Sequence, residues 1–175
     1  KKKATLQEQY SFIVGIDVSK ESIDACMIST IDDQERFITL GNTAQGYIKL
    51  KRWMKQLGND DHTLTLFCME HTGIYTRNIV KYLLSRGGKV WMESSLQIKR
   101  SMGLVRGKTD KIDSQRIARY AHLHQAEAKL VKMTPPTLDR LNYLMRTRAR
   151  LLKSQGAQVR SINEMLHFDK KAGRE

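Results

Sequence analysis

Apolar positions in this chain recur first with the period of strands, then of helices, and finally with a long 3-4 alternation. Phe12-Ile13-Val14-Gly15-Ile16 is a continuous apolar run of buried-strand length, Ser22 to Ser29 alternates as a second strand, and Arg36 to Leu40 makes a third. The breakers between them, Val18-Ser19-Lys20-Glu21 and Ile31-Asp32-Asp33-Gln34, have hairpin lengths, which predicts a three-stranded antiparallel meander. Asn42-Thr43 reads as a helix start, after which Tyr47, Leu50, Trp53, Met54 and Leu57 recur at helical spacing until Gly58. Thr63 to Met69 is the next strand, Ile74 to Ser85 a helix closed by Gly87-Gly88, and Lys89 to Met92 a short strand. Asp110 to about Ala128 reads as a further helix, with Ile117, Ala121 and Ala128 on the face that also carries Asp113. A meander followed by helix, strand, helix and strand predicts an α/β fold with a mixed five-stranded sheet and helices packed on it.

Thr134-Pro135-Pro136-Thr137 is a boundary, since paired prolines break helices and Thr137 is suited to cap the next one. Beyond it Leu138, Leu141, Met145, Leu152, Val159, Ile162 and Leu166 form a heptad seam interrupted only by Arg148 and Gln155. Such a helix spans roughly 45–50 Å at 1.5 Å per residue and needs a partner helix. The expected organisation is a basic tail over 1–10, a folded domain over 11–133, a coiled-coil helix over 134–168 and a tail over 169–175. Asp169 to Glu175 has no stop signal suited to a finished domain, so the natural protein is expected to continue.

Composition narrows the class of partner. A chain of 175 residues accommodates one domain and an appendage, and its net charge of +13 attracts polyanions, favouring nucleic acid over an acidic small molecule. No run approaches the roughly 18–20 apolar residues of a membrane span, and Lys1-Lys2-Lys3 precedes no signal-type apolar core. Cys26 and Cys68 fall inside predicted strands without CxxC spacing and read as buried, reduced thiols, in keeping with a cytoplasmic location.

Against this basic background four acids stand out. Asp17 and Glu70 end apolar strand-like runs, while Asp110 and Asp113 are three apart and share a helix face. Phosphoryl transfer needs charge neutralised on a phosphate, and Mg²⁺ ions held by hard carboxylate oxygens supply this; carboxylates gathered without metal would repel one another. The second pair is embedded among Lys99, Arg100, Arg106, Lys108, Lys111, Arg116 and Arg119, a set suited to hold a phosphate backbone. The helix after the prolines repeats the theme with Arg140, Arg146, Arg148, Arg150, Lys153 and Arg160. Singly, each acid has a plain alternative: Asp17 as a turn former, Asp110 as a helix cap, and Glu70 serving the helix that follows. Their joint order, an acid ending the first strand, an acid ending the fourth and two opening a late helix, is that of a ribonuclease H-like nuclease core.

Gly15-Ile16-Asp17-Val18-Ser19-Lys20, Met69-Glu70-His71-Thr72-Gly73-Ile74-Tyr75 and Lys108-Thr109-Asp110-Lys111-Ile112-Asp113-Ser114-Gln115-Arg116-Ile117-Ala118 resemble the DEDD motifs of the IS110 family transposases. These are also known as bridge-RNA-guided recombinases and are related to the Piv DNA invertases. The resemblance implies a RuvC-like domain of ribonuclease H fold, with Asp17, Glu70, Asp110 and Asp113 as catalytic Mg²⁺ ligands for which Mn²⁺ substitutes. It also implies a coiled-coil segment, a separate domain carrying a serine nucleophile, and DNA and a structured guide RNA as partners. A homo-oligomer formed through the coiled coil, acting at the nucleoid of a bacterium or archaeon, completes the expectation.

Three rivals remain. Gly15 to Ser19 also resembles the first phosphate loop of sugar kinases and actin-like ATPases, which would not require Asp110 with Asp113 or so basic a surface. A degenerate nuclease domain that only binds nucleic acid, and an autonomous junction resolvase, are the others. His122 and His124, two apart on a helix, point away from each other and read as structural. Tyr47, Trp53, Tyr75, Tyr82 and Trp91 are expected in core packing, and Ser94, Ser95 and Ser101 as helix caps or phosphate contacts.

Overall fold

A computed structural model describes residues 10–71, 73–101, 110–132 and 135–172, with the backbone alone at 110, 111, 136, 139 and 170–172. Strands β1 (Phe12–Val18), β2 (Ser22–Ser29) and β3 (Glu35–Gly41) form the antiparallel meander, while β4 (Thr65–Glu70) and β5 (Lys89–Glu93) add in parallel. The sheet order is β3-β2-β1-β4-β5, so β1 lies at the centre, where buried strands read as near-continuous apolar runs.

The pleat divides the side chains between two cores. Val14, Ile16, Val18, Ile23, Phe67 and Met69 face α1 (Ala44–Gln56) and α2 (Arg77–Leu84), which contribute Tyr47, Leu50, Met54, Ile79 and Leu83. Ile13, Cys26, Ile28, Leu66, Cys68 and Trp91 face the opposite way, toward Ile98 of α3 (Ser95–Ser101) and Ile117, Ala118 and Ala121 of α4 (Asp110–Leu123). Each fully buried branched or aromatic side chain contributes about 1.5–3 kcal/mol of transfer free energy, so both faces commit the sheet to a single register.

Most helix limits follow side-chain chemistry. Thr43 caps α1 by accepting from the Gly46 amide at 3.2 Å. Helix α2 starts at Arg77, later than the expected Ile74, because the buried Thr76 hydroxyl bonds the Gly73 carbonyl and holds this segment as a turn. Helix α4 ends at Leu123 and not near Ala128. A 3-10 turn at Gln125–Glu127 follows, and the Val131 amide then bonds the Val90 carbonyl at 2.7 Å, beside a bridge between Leu130 and Trp91. Ala128 still packs on the α4-side core, from outside the helix.

The chain divides into two units, residues 1–133 and 134–175. The second is one helix, α5 (Pro136–Ala172), of 37 residues, or about 55 Å at 1.5 Å per residue. It begins at Pro136, so Thr137 lies inside the helix and is not its cap; proline is tolerated at a first helical position, where its missing N–H has no intrahelical partner. Leu138, Leu141, Met145, Leu152, Val159, Ile162 and Leu166 are all exposed.

Candidate metal and nucleic-acid site

The site begins with a close approach. A Cβ on Gly15 would lie 2.2 Å from the Ala118 amide nitrogen and 2.5 Å from the Ser114 carbonyl oxygen, so the α4 backbone rests directly on β1 where β1 has no side chain. Glu35, at the start of β3, ties the same helix down, accepting from the Arg119 Nε at 2.7 Å and from the Gln115 amide. Asp17 lies two residues beyond Gly15 and so on the same face of the sheet, and Asp113 immediately precedes Ser114, which is buried against β1.

The sheet register brings further acids to this edge. Asp17 pairs with Asp24 across β1 and β2; Ile16 lies beside Met69, which puts Asp17 and Glu70 next in line; and Glu70 pairs with Glu93. Asp24, Asp17, Glu70 and Glu93 therefore form a row across four adjacent strands on the α4 side. Burial, followed by the charges of Asp113 and Glu70, pushes the Asp17 carboxyl up to about 6, with Asp24 adding to the shift and the Val18 amide opposing it. Asp17 is thus the group on which the repulsion converges.

The neighbouring acids differ in their partners. Asp113 Oδ1 accepts from Arg116 at 3.0 Å. The buried Asp24 accepts from the Thr39 hydroxyl at 2.5 Å. Glu70 Oε2 accepts from the Ser95 hydroxyl at 2.5 Å, and Glu93 accepts from the Ser94 amide at 2.7 Å and the Tyr120 hydroxyl at 3.3 Å. Burial and then Glu93 push the Tyr120 hydroxyl up to about 12. The Cys68 thiol, raised by burial and then by Glu93 and Glu70, is held protonated, and both cysteines are buried thiols outside any disulfide. Asn42 donates to the carbonyls of Ser19 at 2.8 Å and Tyr75 at 3.2 Å and accepts from Tyr47, fastening together the loops that follow β1 and β4.

Of the four expected ligands, Asp17, Glu70 and Asp113 thus interact, while Asp110 opens α4 one turn before Asp113 with its side chain outside the described residues. Among the described residues no group of three or more His, Cys, Asp or Glu is drawn together tightly enough to hold an ion unaided. The donor set fits a hard divalent cation in kind: carboxylate oxygens, mutually repelling, with a cation the natural relief of the charge loaded on Asp17.

The expected phosphate-binding bases divide differently. Lys99 and Arg100 are exposed on α3, and Arg146, Arg148, Arg150 and Lys153 are exposed on α5. Arg116, expected to contact phosphate, donates to Asp113 at 3.0 Å. Arg106 and Lys108 lie outside the described residues, as does the Lys111 side chain. His122 and His124 go separate ways, toward Asp33 and Glu127. Of the aromatics, Tyr47 and Trp91 are buried, but Tyr75 is 41% exposed beside the loop that Asn42 fastens, a departure from core packing.

The sequence reading passes over Asp24 and Glu93 and gives Ser95 as a helix cap or phosphate contact and Asn42 as part of a helix start, whereas Ser95 bonds Glu70 and Asn42 ties two loops together. Asp24 carried a signal as a polar residue at an inward position of an alternating strand. Glu93 carried another: it ends β5 as Glu70 ends β4, which a strand limit at Met92 concealed. Helix α3, with Ser95 at its start, has no apolar period of its own long enough to read.

Residues 14–168 match the IS110-type DEDD transposase family, described as a transposase. The chain belongs to that family. Two pilin gene-inverting proteins, from Moraxella lacunata and Moraxella bovis, are 36% and 34% identical to it over 110 residues. Those matches cover 61% of this chain and 33% of each relative, so the IS110-type chain spans about a third of the length of these curated relatives. Among solved structures, that of RuvC from Thermus thermophilus superposes with a TM-score of 0.50 at 9% identity, covering 69% of this chain and 99% of RuvC. The fold is RuvC-like, as the family resemblance implied. No helix among the described residues is long and apolar enough to cross a membrane.

Proposed function

We propose that this chain is the RuvC-like part of a DNA recombinase in which Asp17, Glu70, Asp110 and Asp113 hold Mg²⁺ at a scissile DNA phosphate. The observation that carries the reading is the electrostatic convergence of Asp113 and Glu70 on Asp17 at the edge of a central strand. When bound, divalent ions neutralise the phosphate and stabilise the charge that develops on the attacking and leaving oxygens. The chain's own residues bind and orient. Arg116 holds Asp113 in place through its 3.0 Å hydrogen bond, and Lys99 and Arg100, exposed on α3, together with Lys108 and Lys111 of the sequence, bind the phosphate backbone.

The substrate is DNA, and a structured guide RNA supplies sequence choice, which leaves no base-reading code in these residues. Gene inversion by the pilin gene-inverting relatives supports strand exchange over simple cleavage. Strand exchange also needs a nucleophile, and we assign that role to a serine outside residues 1–175, as the family resemblance implies. Helix α5 pairs with a second copy through its heptad seam; Arg146, Arg150 and Lys153 then lie outside the seam on a dimer rod that nucleic acid contacts, and Arg148, which interrupts the seam, extends its charged end past it to the same nucleic acid. The protein works in the cytoplasm.

The test is recombination by a full-length protein carrying this chain. Asp17→Asn or Asp113→Asn should lower strand exchange at least about 100-fold, a loss of the size that follows removal of a group stabilising the transition state. Exchange at the normal rate by either variant refutes the assignment.

A further inference from the structure

Ser95 stands at the junction that joins the two acid-ending parallel strands. The His71 amide bonds the Glu93 carbonyl at 3.0 Å, so the chain leaving β4 is fastened to the end of β5, and Ser95 follows two residues later as the first residue of α3. From there its hydroxyl reaches back to Glu70 Oε2 at 2.5 Å. Glu93, the register partner of Glu70, is already committed to Ser94 and Tyr120, so it does not compete for Ser95.

We propose that Ser95 is a positioning residue that fixes the Glu70 carboxylate for divalent-metal binding; this rests on the metal-site reading above. A glutamate side chain has three rotatable bonds and, between Asp17 and Glu93, sits in repulsive surroundings that favour swinging outward. A hydrogen bond to one oxygen sets the plane of the carboxylate and leaves lone pairs on both oxygens for an ion. The donor is also neutral. A lysine or arginine at the same point would offset the repulsion but would compete with the cation for Glu70, as a hydroxyl does not. Partners that orient a ligand in this way typically contribute 10–100-fold to metal affinity.

The experiment titrates Mn²⁺ by electron paramagnetic resonance, with a short DNA duplex present, into the wild-type chain and the Ser95→Ala, Ser95→Thr and Asp17→Asn variants, with metal-free thermal unfolding of each. Ser95 is only half-buried, so the alanine variant should unfold like the wild type yet bind Mn²⁺ about 10–100-fold more weakly. Ser95→Thr, which keeps the hydroxyl, should retain wild-type affinity. If Ser95→Ala binds as tightly as the wild type while Asp17→Asn does not bind, the positioning role is overturned and the metal site stands. Equal weakening by alanine and threonine also overturns it, since the hydroxyl would not be the cause. A wild-type chain that binds no Mn²⁺ overturns both readings.

Discussion

Asp17 is the residue on which the electrostatics of the acidic edge concentrate. Its carboxyl is raised from 3.8 to about 6 by burial and then by Asp113 and Glu70, so in the metal-free fold its charged form is disfavoured. A carboxyl raised in this sense contributes stability that is fully present below its unfolded value and is lost as pH rises through the folded one, here from about pH 4 to above pH 6. The shift corresponds to about 3 kcal/mol, reduced to about 1–2 kcal/mol by solvent screening at a half-buried position. Asp17→Asn should therefore stabilise the metal-free protein by about 1–2 kcal/mol at pH 8 and by nothing near pH 4, as read by urea unfolding at the two pH values. An equal difference at both would contradict the electrostatic account. For the same reason metal affinity in the wild type should rise through pH 6, because binding displaces the Asp17 proton. At this scale Asp17, Glu70 and Asp113 were legible because each is an unexpected acid near the end of a strand or in the first turn of a helix. Ser95 and Asn42 were not, since their roles lie in hydrogen bonds to residues 25 and 33 positions distant.

At the scale of elements, the contact between β1 and α4 decides whether the acids meet. Gly15→Ala would drive a Cβ into the backbone of α4 at Ala118 and Ser114, where no side chain can turn aside, so the helix must lift from the sheet. We expect a loss of about 3 kcal/mol of stability, the upper end for overpacking, together with loss of Mn²⁺ binding. Calorimetry and metal titration of the same variant check both, and a variant that keeps wild-type stability would show that α4 is not seated by this contact. The sheet itself could be read from the sequence because strand β1 is an unbroken apolar run and β2 and β3 follow at hairpin distance. The late helix limits were less legible. Helix α2 yields its first turn to the Thr76 hydroxyl, and the segment after α4 is claimed by backbone pairing with β5, neither of which leaves a periodic trace.

Across the whole molecule, the governing contrast is a small acidic edge on a chain of net charge +13. Under the proposed function the positive field would draw in a nucleic-acid backbone, which the acids would repel unless a cation lay between them. Metal and nucleic acid should therefore bind cooperatively, the phosphate completing a coordination shell begun by the carboxylates. The most direct test is Mn²⁺ binding to this chain in the presence of a short DNA duplex, for the wild type and for Asp113→Asn. The account predicts micromolar binding by the wild type that the substitution abolishes. Binding that survives Asp113→Asn, or no binding by the wild type, would contradict it.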